Sequence, residues 1–308
     1  MALHTGSPAT AAVYELGEGV IWDDRAERVR WVDIGKGRVL SGALQNGRIE
    51  DVHELSIGQT AGAVALAEDG GLLVAAARGL ATVSVEGVLS FGPDLLGDRA
   101  GARLNDGSAD RFGAFVVGSL SLDGETGDDE LLRVYPNGRI ETLREGVRLS
   151  NGVAFAPDGR TIYHVDTLAR TVSRHSYGPG PFDRREQWVT VLDEGDLPAH
   201  PDGLTVDAAG MLWVAQYGGG SVRRHSPSGE LLDVVHVDAE QATSASFVGA
   251  DLGTLAITTA QEGLATTTDG SGAIFLACAG VTGLPARCWA GSTVKPYWLR
   301  PDTEESSA

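Results

Sequence analysis

The sequence predicts an all-β chain, a six-bladed β-propeller with four-stranded blades, and three observations lead there. The first is the unit SNGVAFAPDGRTIYHVD (Ser150 to Asp166), in which two short apolar runs flank a Pro157-Asp158-Gly159 turn. Pro presets φ and Gly accepts positive φ, so the stretch reads as a hairpin. The second is repetition of that unit. EGVIWDDRAERVRWVD (Glu18 to Asp33), AGAVALAEDGGLLVAA (Ala61 to Ala76), NDGSADRFGAFVVGS (Asn105 to Ser119), DGLTVDAAGMLWVAQ (Asp202 to Gln216) and the degraded ASFVGADLGTLAITT (Ala245 to Thr259) recur at steps of 43 to 51 residues. A period of that size with several strands per repeat marks propeller blades. The third is glycine, 42 residues of 308, about twice the usual ~7% and suited to many tight turns.

Taken in order, residues 1–12 read as a flexible tail, 13–300 as one closed propeller domain, and 301–308 as a second flexible tail. Within each repeat the unit above supplies the two inner strands. The remainder supplies an outer hairpin, as at Arg38–Arg48 around Asn46-Gly47, Leu131–Glu141 around Asn137-Gly138, and Val222–Leu232 around Ser228-Gly229. Trp22, Trp188 and Trp213 fall in strand-like runs and read as core.

The formal charge is −18, with 24 Lys and Arg against 42 Asp and Glu spread along the chain. Such a field disfavours nucleic acid and anionic membranes as partners. No apolar run approaches the ~18 residues of a membrane span, and the start MALHTGSPATAAVYE has neither a basic nor an apolar leader region. A cytoplasmic protein is expected, with Cys278 and Cys288 as unbridged thiols, the alternative being a bridge that staples the last blade.

In a propeller the innermost strands begin near a common axis. The residues opening the repeats are Glu18, Ala61, Asn105, Asn151, Asp202 and Ala245, so four of six carry oxygen donors. Two carboxylates and two amides, without thiol or imidazole, form the donor set of a hard divalent cation such as Ca²⁺, Mg²⁺ or Mn²⁺. The alternative is that Asn-Gly and Asp-Gly merely open turns. A cation there can polarise a carbonyl and acidify water, and Asp202 can take the proton. His200, two residues before it, is the other candidate base.

Elsewhere the sequence excludes more than it offers. The acidic loop Asp123 to Glu130 lacks the sixth-position glycine and flanking helices of an EF-hand, and reads as a solvated loop or a lid. The seven histidines show no zinc spacing, and there is no Gly-x-Ser-x-Gly elbow, phosphate loop or dinucleotide fingerprint.

The segments LGEGVIW (16–22), RLNDG (103–107), SNGVAFAPDGRTIY (150–163), PDGLTVDAAGMLWVA (201–215) and GGGSV (218–222) resemble the signatures of the SMP-30/gluconolactonase/LRE (regucalcin-like) family. The resemblance runs from about Leu16 to Ala260. It implies a propeller lactonase that opens sugar lactones with one divalent cation, Ca²⁺ first, with Mg²⁺, Mn²⁺ or Zn²⁺ as alternatives. It implies Glu18, Asn151 and Asp202 as metal ligands, with Asp202 also catalytic, and Arg103 and Asn105 holding substrate; in related propeller phosphotriesterases the position of Asn105 ligates the metal. The chain departs from the family at Ala109-Asp110-Arg111-Phe112-Gly113, at Gly118-Ser119-Leu120-Ser121, at Phe247-Val248-Gly249 and at Tyr217, where tryptophan is frequent. A preferred ligand other than gluconolactone is therefore expected. Two further readings stand beside the lactonase: the same scaffold acting on another ester or an organophosphate, and a non-catalytic calcium-binding propeller.

Overall fold

A computed structural model of the protein describes residues 2–124, 127–195 and 197–299, and shows six sheets, antiparallel within each four-stranded blade and widened in two of them by a parallel strand. Their inner strands are Gly17–Asp23, Ala61–Ala67, Ala102–Ala109, Ser150–Phe155, His200–Val206 and Gln241–Val248, in blades 1 to 6. These strands are short and mostly buried on both faces, as expected of strands that pack between neighbouring blades. The outer hairpin of blade 1 turns where Asn-Gly permits positive φ at both central residues, Asn46 at 51° and Gly47 at 75°, whereas in blades 3 and 5 only Gly138 and Gly229 take it.

The apolar core is divided among the blade interfaces. Six buried clusters each join two neighbours, for example Val32, Val39 and Ile57 of blade 1 against Leu66, Val74 and Val83 of blade 2. The sixth closes the ring, with Trp22, Trp31 and Leu40 of blade 1 against Val248, Ala256 and Leu276 of blade 6. Trp31 and Trp213 are fully buried and Trp22 nearly so, while Trp188 is half-buried and stacks edgewise on His164.

Segments from both ends of the described residues are woven into this ring. The expected tail over residues 1–12 is instead paired: Ala2–Thr5 runs parallel to Leu231–His236 as a fifth strand of blade 5, and Ser7–Pro8 forms the outer strand of blade 6. The segment from Thr282 to Ala290 passes beneath the ring. Its backbone bonds blade 5 at Ala208, blade 6 at Leu252, blade 2 at Glu68 and blade 3 at Gly113, and Cys288–Trp289 pairs with the inner strand of blade 2. Residues 301–308 lie outside the described residues. Among the described residues both cysteines are free, and no helix is long and apolar enough to cross a membrane.

Asp129, from the acidic loop, is a core residue whose carboxylate accepts bonds from Ser119 and Ser121, while Asp123 packs against Gly101. Glu125 and Thr126 lie outside the described residues. A second buried carboxylate ties blade 3 to blade 4. Asp110 accepts from the amides of Phe112 and Ala114, from Arg133 at 2.8 Å and from the Tyr177 hydroxyl at 2.6 Å.

Candidate functional site

The inner strands all carry one extra residue at the same height, and the candidate residues sit on these bulges. Pairing slips between Glu18 and Ile21, Leu104 and Gly107, Ser150 and Val153, and Pro201 and Leu204. A bulge bends the strand and re-aims the side chain it carries. Here it places Glu18, Asn105, Asn151 and Asp202 at the upper end of the channel, each less than a tenth exposed. Matching the slips puts Gly62 and Thr243 in phase with Glu18, where the sequence suggested Ala61 and Ala245.

The glycine after Asn151 shows how closely the strands approach. A Cβ at Gly152 would stand 2.6 Å from the carbonyl oxygen of Asp202 and 2.6 Å from Leu204 Cβ. Gly152→Ala is therefore expected to push blades 4 and 5 apart at the site, lowering stability by about 1–3 kcal/mol and weakening divalent-cation binding in a calorimetric titration. A variant with the wild-type melting point and affinity would contradict this packing.

Hydrogen bonds orient the amides. Asn151 Nδ2 donates to Thr167 Oγ1 at 3.2 Å, and the same side chain bonds the Asp202 carboxylate, which leaves Asn151 Oδ1 for the channel. Asn105 Nδ2 donates to the carbonyl of Ser150, while its Oδ1 accepts from Arg103 at 2.7 Å. The lead-ins are held as well. Asp33 accepts from the amides of Glu15 and Leu16, and Asp166 from those of Arg148 and Leu149, two or three residues before Glu18 and Asn151.

Negative charge is concentrated here beyond what the sequence indicated. Burial and then the Asp202 and Asp106 carboxylates raise Glu18 well above the usual range, against the Gly19 amide and Arg103. Burial and then Asp106 likewise raise Asp202 well above its ordinary value. Burial pushes Asp106 itself up to about 6. At the mouth, the Tyr217 hydroxyl is pushed up to about 12, by burial first and then by Asp202, Glu262 and Glu18. Arg103 opposes the rise at both Glu18 and Asp202, and burial works against its own charge.

These features fit a divalent cation. Asp202 Oδ1 is buried without a hydrogen-bond partner, a costly state that a cation would relieve. Among the described residues no three His, Cys, Asp or Glu side chains gather as a chelating cluster. The donors available are instead mixed, carboxylate oxygens of Glu18 and Asp202 with the amide oxygen of Asn151, which is chemistry for a hard ion.

His200 does not serve as a base in this arrangement. Its Nε2 faces Arg170 Nη2 at 3.2 Å; because guanidinium only donates, Nε2 is the acceptor and Nδ1 carries the proton. The Ser150–His164 pair, 2.7 Å apart, is closed in the same way. Arg144 donates to Nδ1 of His164 at 3.0 Å, so Nε2–H donates to Ser150 and cannot deprotonate it.

Below the site a cavity of about 140 Å³ runs down the axis, lined by all six inner strands. Leu284, Pro285, Ala286 and Arg287 line its lower end.

Residues 16–261 match the SMP-30/Gluconolactonase/LRE-like region. The chain is 34% identical to pentonolactonase XacC of Haloferax volcanii, over 88% of this chain and 93% of that protein. It is 34% identical to 6-deoxy-6-sulfogluconolactonase of Pseudomonas putida, over 80% and 84% respectively. Among solved structures, the calcium-binding protein regucalcin from Agrobacterium tumefaciens superposes with a TM-score of 0.86 at 26% identity, over 94% of this chain and 99% of that one.

Proposed function

We infer the activity from one premise: the chain belongs to the SMP-30/gluconolactonase/LRE-like family. The reading it supports is hydrolysis of a sugar lactone, dependent on one divalent cation held by Glu18, Asn151 and Asp202. The observation that carries it is Asp202 Oδ1, buried and unpartnered beside a second raised carboxylate. The named activities of the pentonolactonase and the sulfogluconolactonase support the lactone as substrate, and the calcium-binding relative supports the cation.

A cation bound there supplies Lewis acidity to the lactone carbonyl and acidifies attacking water. The chain's own residues do the rest. Asp202 takes the proton of the attacking water on its carboxylate, a role suited to a group whose proton affinity burial has raised. Arg103, already anchored on Leu104 O and Asn105 Oδ1, donates a charge-assisted bond to the oxygen that becomes negative. Asn105, fixed at both ends of its amide, orients the ring. Burial of the carboxylates keeps bulk water from competing for their charge.

The test is acid release from five- and six-membered aldonolactones by metal-stripped protein, with Ca²⁺, Mg²⁺, Mn²⁺ or Zn²⁺ restored. Turnover is expected only with the cation present. The same additions should raise the melting point, by roughly 5 °C when the ion is at ~100 times its dissociation constant. Cation binding without turnover of any lactone would overturn the lactonase reading, and the absence of cation binding would overturn the metal site.

A further inference from the structure

Each of the three candidate ligands is preceded by a carbonyl that a side chain of the preceding blade holds. Thr243 Oγ1 of blade 6 lies 2.6 Å from the oxygen of Gly17, before Glu18. Asn105 Nδ2 of blade 3 lies 2.9 Å from that of Ser150, before Asn151. Thr167 Oγ1 of blade 4 lies 2.8 Å from that of Pro201, before Asp202. Thr167 comes from a different place in its blade than Asn105 and Thr243, so the repeat alone does not generate the pattern. Thr243 sits on an inner-strand bulge, whereas Thr167 follows the second strand, Thr161–Asp166.

We propose that Thr243 and Thr167 are positioning residues that aim Glu18 and Asp202 at the cation by fixing the peptide plane in front of each. The proposal rests on the metal-site reading above. Its physical basis is the bulge: the cross-strand ladder is broken at Asp202 and ends at Glu18, the last residue paired before its slip, so neither carboxylate is held by paired residues on both sides. Rotating the plane swings the next Cα–Cβ bond, and with it the carboxylate. Thr243 is fully buried and Thr167 is 8% exposed, so water is a poor substitute for either hydroxyl. Thr167 also accepts from Asn151 Nδ2, so one hydroxyl holds one candidate ligand directly and the lead-in to another.

The experiment is calorimetric titration of metal-stripped protein with CaCl₂, with the fold checked by circular dichroism and the melting point. Thr243→Val and Thr167→Val keep the shape and remove the hydroxyl; Thr243→Ser and Thr167→Ser restore it. Thr293→Val is the control, a threonine 3% exposed that bonds Asp69 Oδ1 at 2.9 Å at the hairpin end of blade 2, away from the bulges. The dissociation constant is expected to rise about 10-fold in each of the first two valine variants. It should stay near wild type in both serine variants, and in Thr293→Val even where that variant melts earlier. Unchanged affinity in Thr243→Val and Thr167→Val would overturn the proposal, and so would an equal loss in Thr293→Val. If Thr243→Val does not fold, the Thr167 pair decides alone. Failure of the wild type to bind Ca²⁺, Mg²⁺, Mn²⁺ or Zn²⁺ would remove the metal-site reading and this proposal together; wild-type binding with unaltered variants removes only the proposal.

Discussion

Asp202→Asn is expected to lower kcat for lactone hydrolysis by about 10²–10⁴-fold even at saturating cation, the range that a positioned general base contributes. The asparagine keeps one oxygen to face the ion and loses the proton acceptor. Glu18→Gln should behave differently. It removes one of the mutually repelling carboxylates, so its main expected effect is a dissociation constant for the cation raised about 10–100-fold, with kcat largely recovered as the ion is added. The contrast follows from the site. Asp202 Oδ1 is unpartnered while Asn151 bonds the same carboxylate, whereas Glu18 Oε2 is engaged by the Gly19 amide at 2.9 Å. Steady-state kinetics across a cation series for both variants checks this. An Asp202→Asn enzyme within tenfold of wild-type kcat would rule out the carboxylate as the base.

Removing Asp110 should cost the fold about 3–5 kcal/mol. Its carboxylate satisfies four donors, and Arg133, 1% exposed, would be left as a buried cation still donating to the carbonyl of Gly178. The rings of Tyr135 and Tyr177, each 4.7 Å from the guanidinium carbon, offset only part of that loss. Urea denaturation of Asp110→Ala should show a lower midpoint, and Asp110→Ala with Arg133→Met should recover part of it because no unpaired charge remains. By contrast, disrupting the exposed Arg185–Asp183 pair should leave the midpoint where it is. Equal effects at the two places would mean that burial is not what makes the Asp110 pair matter. Total stabilities are commonly ~5–15 kcal/mol, so the buried pair decides whether blades 3 and 4 stay together.

The repeat made the blades legible because each inner hairpin must bury an apolar run on both faces and turn through Asp and Gly. It also made Glu18, Asn105, Asn151 and Asp202 legible, since a polar side chain in phase with apolar neighbours needs a reason. The degraded repeat of blade 6 was harder. Thr243 and Ala245 are two residues apart and share the alternation of a strand, so the pattern is the same under either alignment; only the cross-strand register separates them. Asp106 was missed because the bulge, invisible in the sequence, turns it toward the same channel as its neighbours. Thr167 carries no signal of its own, since its partner carbonyl belongs to the next blade. The pairing of residues 2–8 was missed for a related reason. Four residues of a short strand cannot announce a partner at the other end of the chain.

That last pairing fixes an order of events during synthesis. Ala2 meets Asp233 across 231 positions, and Ser7 pairs with Leu276 later still, so both of these short strands are made long before their neighbours. Blades 1 to 4 can complete their hairpins from their own residues as they emerge. Blade 6 has no outer strand until Ser7–Pro8 returns to it, and the crossing beneath the channel cannot form before Trp289 has been made. The ring therefore closes late and at both ends nearly together, which places this chain among the slow folders dominated by contacts distant in sequence. Until then the edge of Leu231–His236 stands open to any passing strand, including that of a second nascent copy.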